Sequence, residues 1–190
     1  MRVTPRTDGR FPELLFIQGA GPDAHDAWDQ PLVDSLRRAL ACEVRYPRMP
    51  DEGDPSYARW KPALAAALDE LADGALLVGH SVGGTVLLHL LAEHRHRVRP
   101  GAIAILAAPF VGPGGWPSDG LPARTSFDLD NAPISLFYGT ADTTAPPTHA
   151  ALYAGAIPGA SVHLLDGLDH QFGNDLTEVV RLLGVNASTR

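Results

Sequence analysis

At 190 residues with 45% apolar side chains, the chain has the size of one domain with its own core, read here as a single unit over residues 1–190. A formal net charge of -7 excludes the basic footprint of a nucleic-acid or anionic-membrane binder. No apolar run reaches the roughly 20 residues of a membrane span, and the single cysteine excludes an internal disulfide.

The first ten residues are polar and read as a loose tail without a secretory apolar segment, so a cytoplasmic protein is expected. Six short apolar runs then follow, each bounded by Gly, Pro or Asp. They are Glu13 to Gly19, Cys42 to Pro47, Gly74 to His80, Gly101 to Pro109, Pro133 to Thr140 and Ser161 to Gly167, and each reads as a buried strand. Helical spacing fills the intervals "WDQPLVDSLRRAL", "SYARWKPALAAALDELA", "VGGTVLLHLLAEHR", "PTHAALYAGAI" and "DLTEVVRLLGV". Continuous apolar strands alternating with helices predict a three-layer α/β/α sandwich around a mostly parallel sheet of about six strands. Residues 109–132, dense in Gly and Pro, read as an excursion or short cap, and the basic "HRHRVR" from His94 to Arg99 as the solvated end of a helix. Cys42 reads as a small strand residue rather than a nucleophile.

In such sheets ligands bind beyond the carboxyl ends of the strands. After the first run comes "IQGAGPDAHDAW", a glycine-rich loop able to turn the Ala20 N–H toward a reaction centre; the plain alternative is a connecting loop in which Asp26 or Asp29 caps the next helix. After the third comes Ser81 in "VGHSVGG", a G-x-S-x-G turn entering a helix. On that segment alone, a nucleophile on a tight turn and a set of glycines that let a helix pack on a sheet are equal readings. After the fifth comes Asp142 in "YGTADTTAP" and after the sixth His170 in "DGLDHQFG", giving the chain order Ser, Asp, His of a hydrolase triad. Ser81 is then the nucleophile, His170 the base that takes its proton, Asp142 the acid that orients the base, and Val82 N–H the second oxyanion donor.

Rivals exist for two roles. Asp166 competes with Asp142, and the neighbouring Asp169 points elsewhere. His80, His89, His94, His96, His149 and His163 read as core, surface or neighbouring histidines, and no helical pair or cysteine cluster suggests a metal. Trp28, Phe110, Val111 and Trp116 follow the first and fourth strands and are candidate substrate walls, with core packing as their alternative, most of all for Trp28. Trp60 sits in a helical pattern and reads as core.

Through "FIQGAG", "VGHSVGG", "YGTADTTAP" and "GLDHQFG" the chain resembles the α/β-hydrolase superfamily, and within it the small single-domain serine hydrolases similar to the retinoblastoma-binding protein 9 and YdeN-like group. The resemblance implies Ser81, Asp142 and His170 as the triad, Ala20 and Val82 as oxyanion donors, no cofactor, and an exposed acyl pocket without a helical lid. Gln18 stands where many members carry the histidine of an "HG" loop, so the hydrogen bonding of that loop must differ. The expected activity is hydrolysis of a small carboxylic ester; a thioesterase, peptidase or perhydrolase, or a catalytically silent interaction protein on the same scaffold, are the alternatives.

Overall fold

The computed structural model describes residues 11–40, 42–93, 97–117, 120–129 and 132–184. The predicted N-terminal tail, His94 and His96 lie outside the described residues. Six strands form one sheet: β1 (Glu13–Ile17), β2 (Glu43–Arg45), β3 (Leu76–His80), β4 (Ala102–Leu106), β5 (Ile134–Gly139) and β6 (Ser161–Leu165). All neighbours pair in parallel in the order β2-β1-β3-β4-β5-β6.

Successive strand residues point to opposite faces. Leu15 and Ile17 of β1 join one apolar cluster and Leu14 and Phe16 the other, and Ile103 and Ile105 of β4 likewise oppose Ala104 and Leu106. Burial on both faces is why these segments read as unbroken apolar runs. Helices α1 (Gln30–Ala39) and α5 (Thr177–Leu182) cover one face, and α2 (Tyr57–Asp69), α3 (Val82–Glu93) and α4 (Thr148–Ala156) the other. This is the expected three-layer sandwich. Trp60 is fully buried in α2, with its indole N–H donating to the Pro50 carbonyl at 2.8 Å. No helix among the described residues is long and apolar enough to cross a membrane.

Burial is not uniform, contrary to the reading of every strand as buried. β6 is an edge strand with only β5 beside it, and Val162 and Leu164 are 40% and 54% exposed. His163 points to the opposite face and stacks on Phe137 of the neighbouring strand, centroids 4.7 Å apart. Between β4 and β5 the described residues form no helix; this connection instead places Phe110, Val111, Leu121 and Phe127 in the cluster shared with α2, α3 and α4.

Helix α3 is buried from Val82 through Leu90, so it is apolar all round as a central helix must be. Thr85 and His89 are its buried polar residues; the Thr85 hydroxyl donates to the Pro109 carbonyl at 2.7 Å, whereas His89 is unsatisfied among the described residues. Its ring lies 5.1 Å from that of Phe127 and 6.0 Å from that of Tyr57, and neither ring nitrogen has a hydrogen-bond partner among the described residues. Burial first, then the charge of Arg124, pushes its pKa down to about 4 against the opposing charge of Glu93. The unfolded chain therefore takes up this proton first as pH falls, and stability drains from about pH 6.5 toward pH 4. His89→Phe keeps the ring contacts and removes two buried polar atoms, so denaturant melts should show a gain of roughly 1–3 kcal/mol at neutral pH. The gain should widen toward pH 5.

Candidate active site

The chain steps from β1 outward to β2 and then returns past β1 to β3 on its other side, so the strand order reverses between β1 and β3 and a crevice opens at their carboxyl ends. Ser81 occupies it. Its φ of 51° is left-handed, a conformation an L residue holds only when its surroundings impose it. Here the Ser81 N–H donates to the Leu106 carbonyl of β4 at 2.8 Å, and α3 starts at the next residue. A Cβ on Gly79 would stand 2.6 Å from Gly84 Cα, and one on Gly83 would collide with the Gln18 carbonyl oxygen. The glycines thus admit the close helix packing, and Ser81 takes the left-handed turn between them. Gly83→Ala should cost about 3 kcal/mol of stability, read as a lowered thermal midpoint, because the collision is with backbone that cannot step aside.

Two later strand ends converge on Ser81. Gly139, at the end of β5, has no room for a Cβ against the Leu168 carbonyl, and the Ala141 N–H donates to that carbonyl at 2.9 Å. The loop bearing Asp142 is thereby pressed onto the loop bearing His170. His170 Nε2 lies 3.0 Å from Ser81 Oγ, and His170 Nδ1 lies 2.8 Å from Asp142 Oδ2. The other oxygen, Asp142 Oδ1, accepts the N–H groups of Thr144 at 2.7 Å and Ala145 at 2.9 Å. Burial works against the Asp142 carboxylate, but the hydrogen bonds from His170 and the two amides outweigh it and hold its pKa below the ordinary value. An anionic Asp142 keeps the His170 proton on Nδ1 and leaves Nε2 free to accept from the serine hydroxyl.

The rival acids are engaged elsewhere. Asp166 accepts from the Thr140 hydroxyl at 3.1 Å on the exposed surface, and Asp169 accepts the Gln171 and Gly173 N–H groups at 3.1 and 3.0 Å. His149 is buried at the start of α4, where Nδ1 accepts the Phe110 N–H at 2.7 Å and burial pushes its pKa down against the opposing charge of Asp142.

Ala20 and Val82 line the cleft around Ser81, and among the described residues neither backbone N–H has a hydrogen-bond partner. The cleft is about 580 Å³ and is also bordered by Trp28, Trp116 and His170. Trp28, a candidate wall with core packing as its alternative, is 58% exposed and so is not packed in the core. It ends a single π-helical turn, Ala24–Trp28, that carries it onto the rim. Phe110 and Val111 do not border this cleft. Phe110 is buried against Tyr153, ring centroids 5.0 Å apart, and Val111 faces a separate cavity of about 340 Å³ that shares Trp116 as a wall.

Two residues serve the crevice in ways that local sequence rules do not show. Gln18, fully buried, donates to Glu52 at 2.6 Å and accepts the Met49 N–H at 2.9 Å, so it fastens the β1 loop to residues 49–52 where an "HG" histidine is absent. Asp29 stands at the N-cap of α1 but makes no cap bond with its side chain, and Asp26 pairs with His25 at 2.7 Å. The carboxylate of Asp29 turns inward and accepts the Gly19 N–H at 2.6 Å.

Comparison with known proteins agrees with this architecture. The model of the serine hydrolase family matches residues 14–165. The pimeloyl-(acyl-carrier protein) methyl ester esterase of Aromatoleum aromaticum is 35% identical over 94 residues, which is 46% of this chain and 34% of that protein. The chain thus matches about a third of that relative's length. The ydeN gene product of B. subtilis superposes with a TM-score of 0.74 at 19% identity, over 90% of this chain and 96% of the other. Est1E of Butyrivibrio proteoclasticus, solved with ferulic acid bound, gives a TM-score of 0.65 at 14% identity, over 95% of this chain and 90% of the other. With the family match running from β1 to the end of β6, the chain belongs to the serine hydrolase family, with a compact α/β-hydrolase fold like that of the ydeN gene product.

Proposed function

We propose that the protein is a carboxylesterase acting on a small neutral ester through an acyl-enzyme on Ser81. The observation that supports this reading most is the continuous chain from Ser81 Oγ through His170 to Asp142, at 3.0 and 2.8 Å, with the two unengaged amides of Ala20 and Val82 in the cleft at its Ser81 end. As Ser81 Oγ attacks the ester carbonyl, His170 Nε2 takes the hydroxyl proton and Asp142 stabilises the imidazolium that results. The tetrahedral oxyanion is received by the Ala20 and Val82 N–H groups, helped by the positive end of α3. His170 then returns the proton to the departing alcohol. A water activated by the same nitrogen releases the acid and restores Ser81.

No lysine or arginine lines the cleft among the described residues, which favours an uncharged acyl group between Trp28 and Trp116. An ester rather than an amide takes support from the methyl ester esterase to which the chain is similar. A reducing, cytoplasmic setting fits the lone Cys42, whose thiol pKa is raised by burial and then by the charge of Glu13. A series of p-nitrophenyl esters of increasing acyl length tests the substrate class. The expected result is saturable hydrolysis with a clear preference among chain lengths, and a flat response at the rate of the uncatalysed reaction would defeat the reading.

A further inference from the structure

Beneath Ser81 and His170 lies a second polar pair, shut away from solvent. His80 and Asp29 are each 1% exposed. His80 Nδ1 lies 2.8 Å from Asp29 Oδ1, His80 Nε2 lies 3.0 Å from the carbonyl oxygen of His170, and Asp29 Oδ2 accepts the Gly19 N–H at 2.6 Å. Gly19 sits tightly among them. A Cβ there would meet Ser81 Cβ at 3.2 Å and His80 Nδ1 at 3.3 Å.

The proton inventory follows from the partners. A carbonyl oxygen only accepts, so His80 Nε2 carries a proton. Nδ1 faces a carboxylate oxygen, another acceptor, so a proton lies there as well and the ring is an imidazolium opposite a carboxylate. The Nδ1–H is out of line with Oδ1, which makes the contact an ion pair rather than a straight hydrogen bond. Burial opposes charge on this ring, but the Asp29 carboxylate, the His170 carbonyl and the charge of Asp142 outweigh it and hold the His80 pKa above its ordinary value. An apolar pair of similar volume would pack such a space at no loss of stability. What it would lack is direction.

We propose that Asp29 and His80 are positioning residues, a buried clamp that ties the loop of Ala20, the turn of Ser81 and the backbone of His170 into one unit. Each of these three segments contributes one group to the reaction proposed above, and the inference rests on that reading. Through Gly19 the clamp sets where the Ala20 amide points. Through the His170 carbonyl it sets how far the imidazole stands from Ser81 Oγ. Because it orders groups that act in the transition state and, at 1% exposure on the floor of the cleft, offers substrate almost no surface, its loss should appear in kcat and leave KM nearly unchanged.

The test compares Asp29→Ala and Asp29→Asn with the wild type on a p-nitrophenyl ester. Asp29→Ala should lower kcat by about 100-fold, the scale of a misplacement near 1 Å, with KM within a few-fold. Asp29→Asn should recover most of that loss, since its oxygen can accept the Gly19 N–H and its amide can donate to a neutral His80. Undiminished kcat in folded Asp29→Ala, a loss confined to KM, or no recovery in Asp29→Asn would each overturn the clamp. Should Asp29→Ala not fold, heteronuclear NMR of the wild-type histidine rings decides instead. A proton on His80 Nε2, donated to the His170 carbonyl, is expected, and a ring protonated on Nδ1 alone would overturn the proposal. A wild type that neither turns over esters nor reacts at Ser81 would bring down the esterase reading, and the clamp with it; an active wild type with an indifferent Asp29 sinks the clamp alone.

Discussion

Ser81→Ala is expected to lower kcat for ester hydrolysis by on the order of 10⁶-fold, because the acyl-enzyme has no other nucleophile to form on. Little else should change. Alanine keeps the Cβ that already fits the turn, so melting should match the wild type, and substrate binding in the cleft should persist. The companion variant Ser81→Gly separates strain from chemistry. At a φ of 51° an L residue costs roughly 1–2 kcal/mol that glycine does not, so Ser81→Gly should be inactive and more stable than the wild type. Equal or lower stability of the glycine variant would show that the turn holds no strain at this residue.

Asp142→Asn should cost about 10⁴-fold in kcat while leaving the backbone in place. An asparagine oxygen can still accept from Thr144 and Ala145, as Asp142 Oδ1 does at 2.7 and 2.9 Å. Its amide then faces His170 Nδ1 as a donor and drives the proton to Nε2, the nitrogen that must accept from Ser81. The imidazole is held in the wrong tautomer, so the loss comes without displacement. Asp142 also bears on acid stability. Its folded pKa is depressed, so its contribution is fully present above the unfolded value of about 3.9 and is lost as pH falls through the folded one. Acid unfolding of Asp142→Asn should lack this component, which paired pH melts would read as a shallower acid limb.

The fold was legible because strands buried on both faces announce themselves as apolar runs, and α helices of matching length lie between most of them. The triad candidates were legible for a related reason: residues just past parallel strands share one edge of the sheet, so Ser81, Asp142 and His170 fall together without any knowledge of side-chain packing. Position along the sheet was not legible in the same way. β6 carries Val162, Leu164 and Leu165 as a buried strand would, and only the strand order makes Val162 and Leu164 edge residues.

Side-chain partners distant in the chain were the larger gap. Asp29 satisfies the local rule for a helix cap and then turns inward, because the Gly19 amide and the His80 ring offer stronger partners than the free N–H groups of α1. His80, in the sequence only a neighbouring histidine, turns onto Asp29 and the His170 carbonyl. Phe110 and Val111 follow a strand end as the wall candidates should, yet Phe110 packs against α4 and Val111 faces the separate cavity, away from the Ser81 cleft. Trp28, for which core packing was the alternative to a wall, stands exposed on the rim because a π-helical turn precedes α1, and no local pattern signals such a turn.

The most direct measurement is reaction of the folded protein with a fluorophosphonate, followed by mass spectrometry of its peptides. The account predicts one phosphonyl group per chain, on Ser81, with no adduct in Ser81→Ala or in heat-unfolded wild type, where His170 no longer stands at 3.0 Å to take the proton. An unlabelled folded wild type, or an adduct on any other residue, would contradict it.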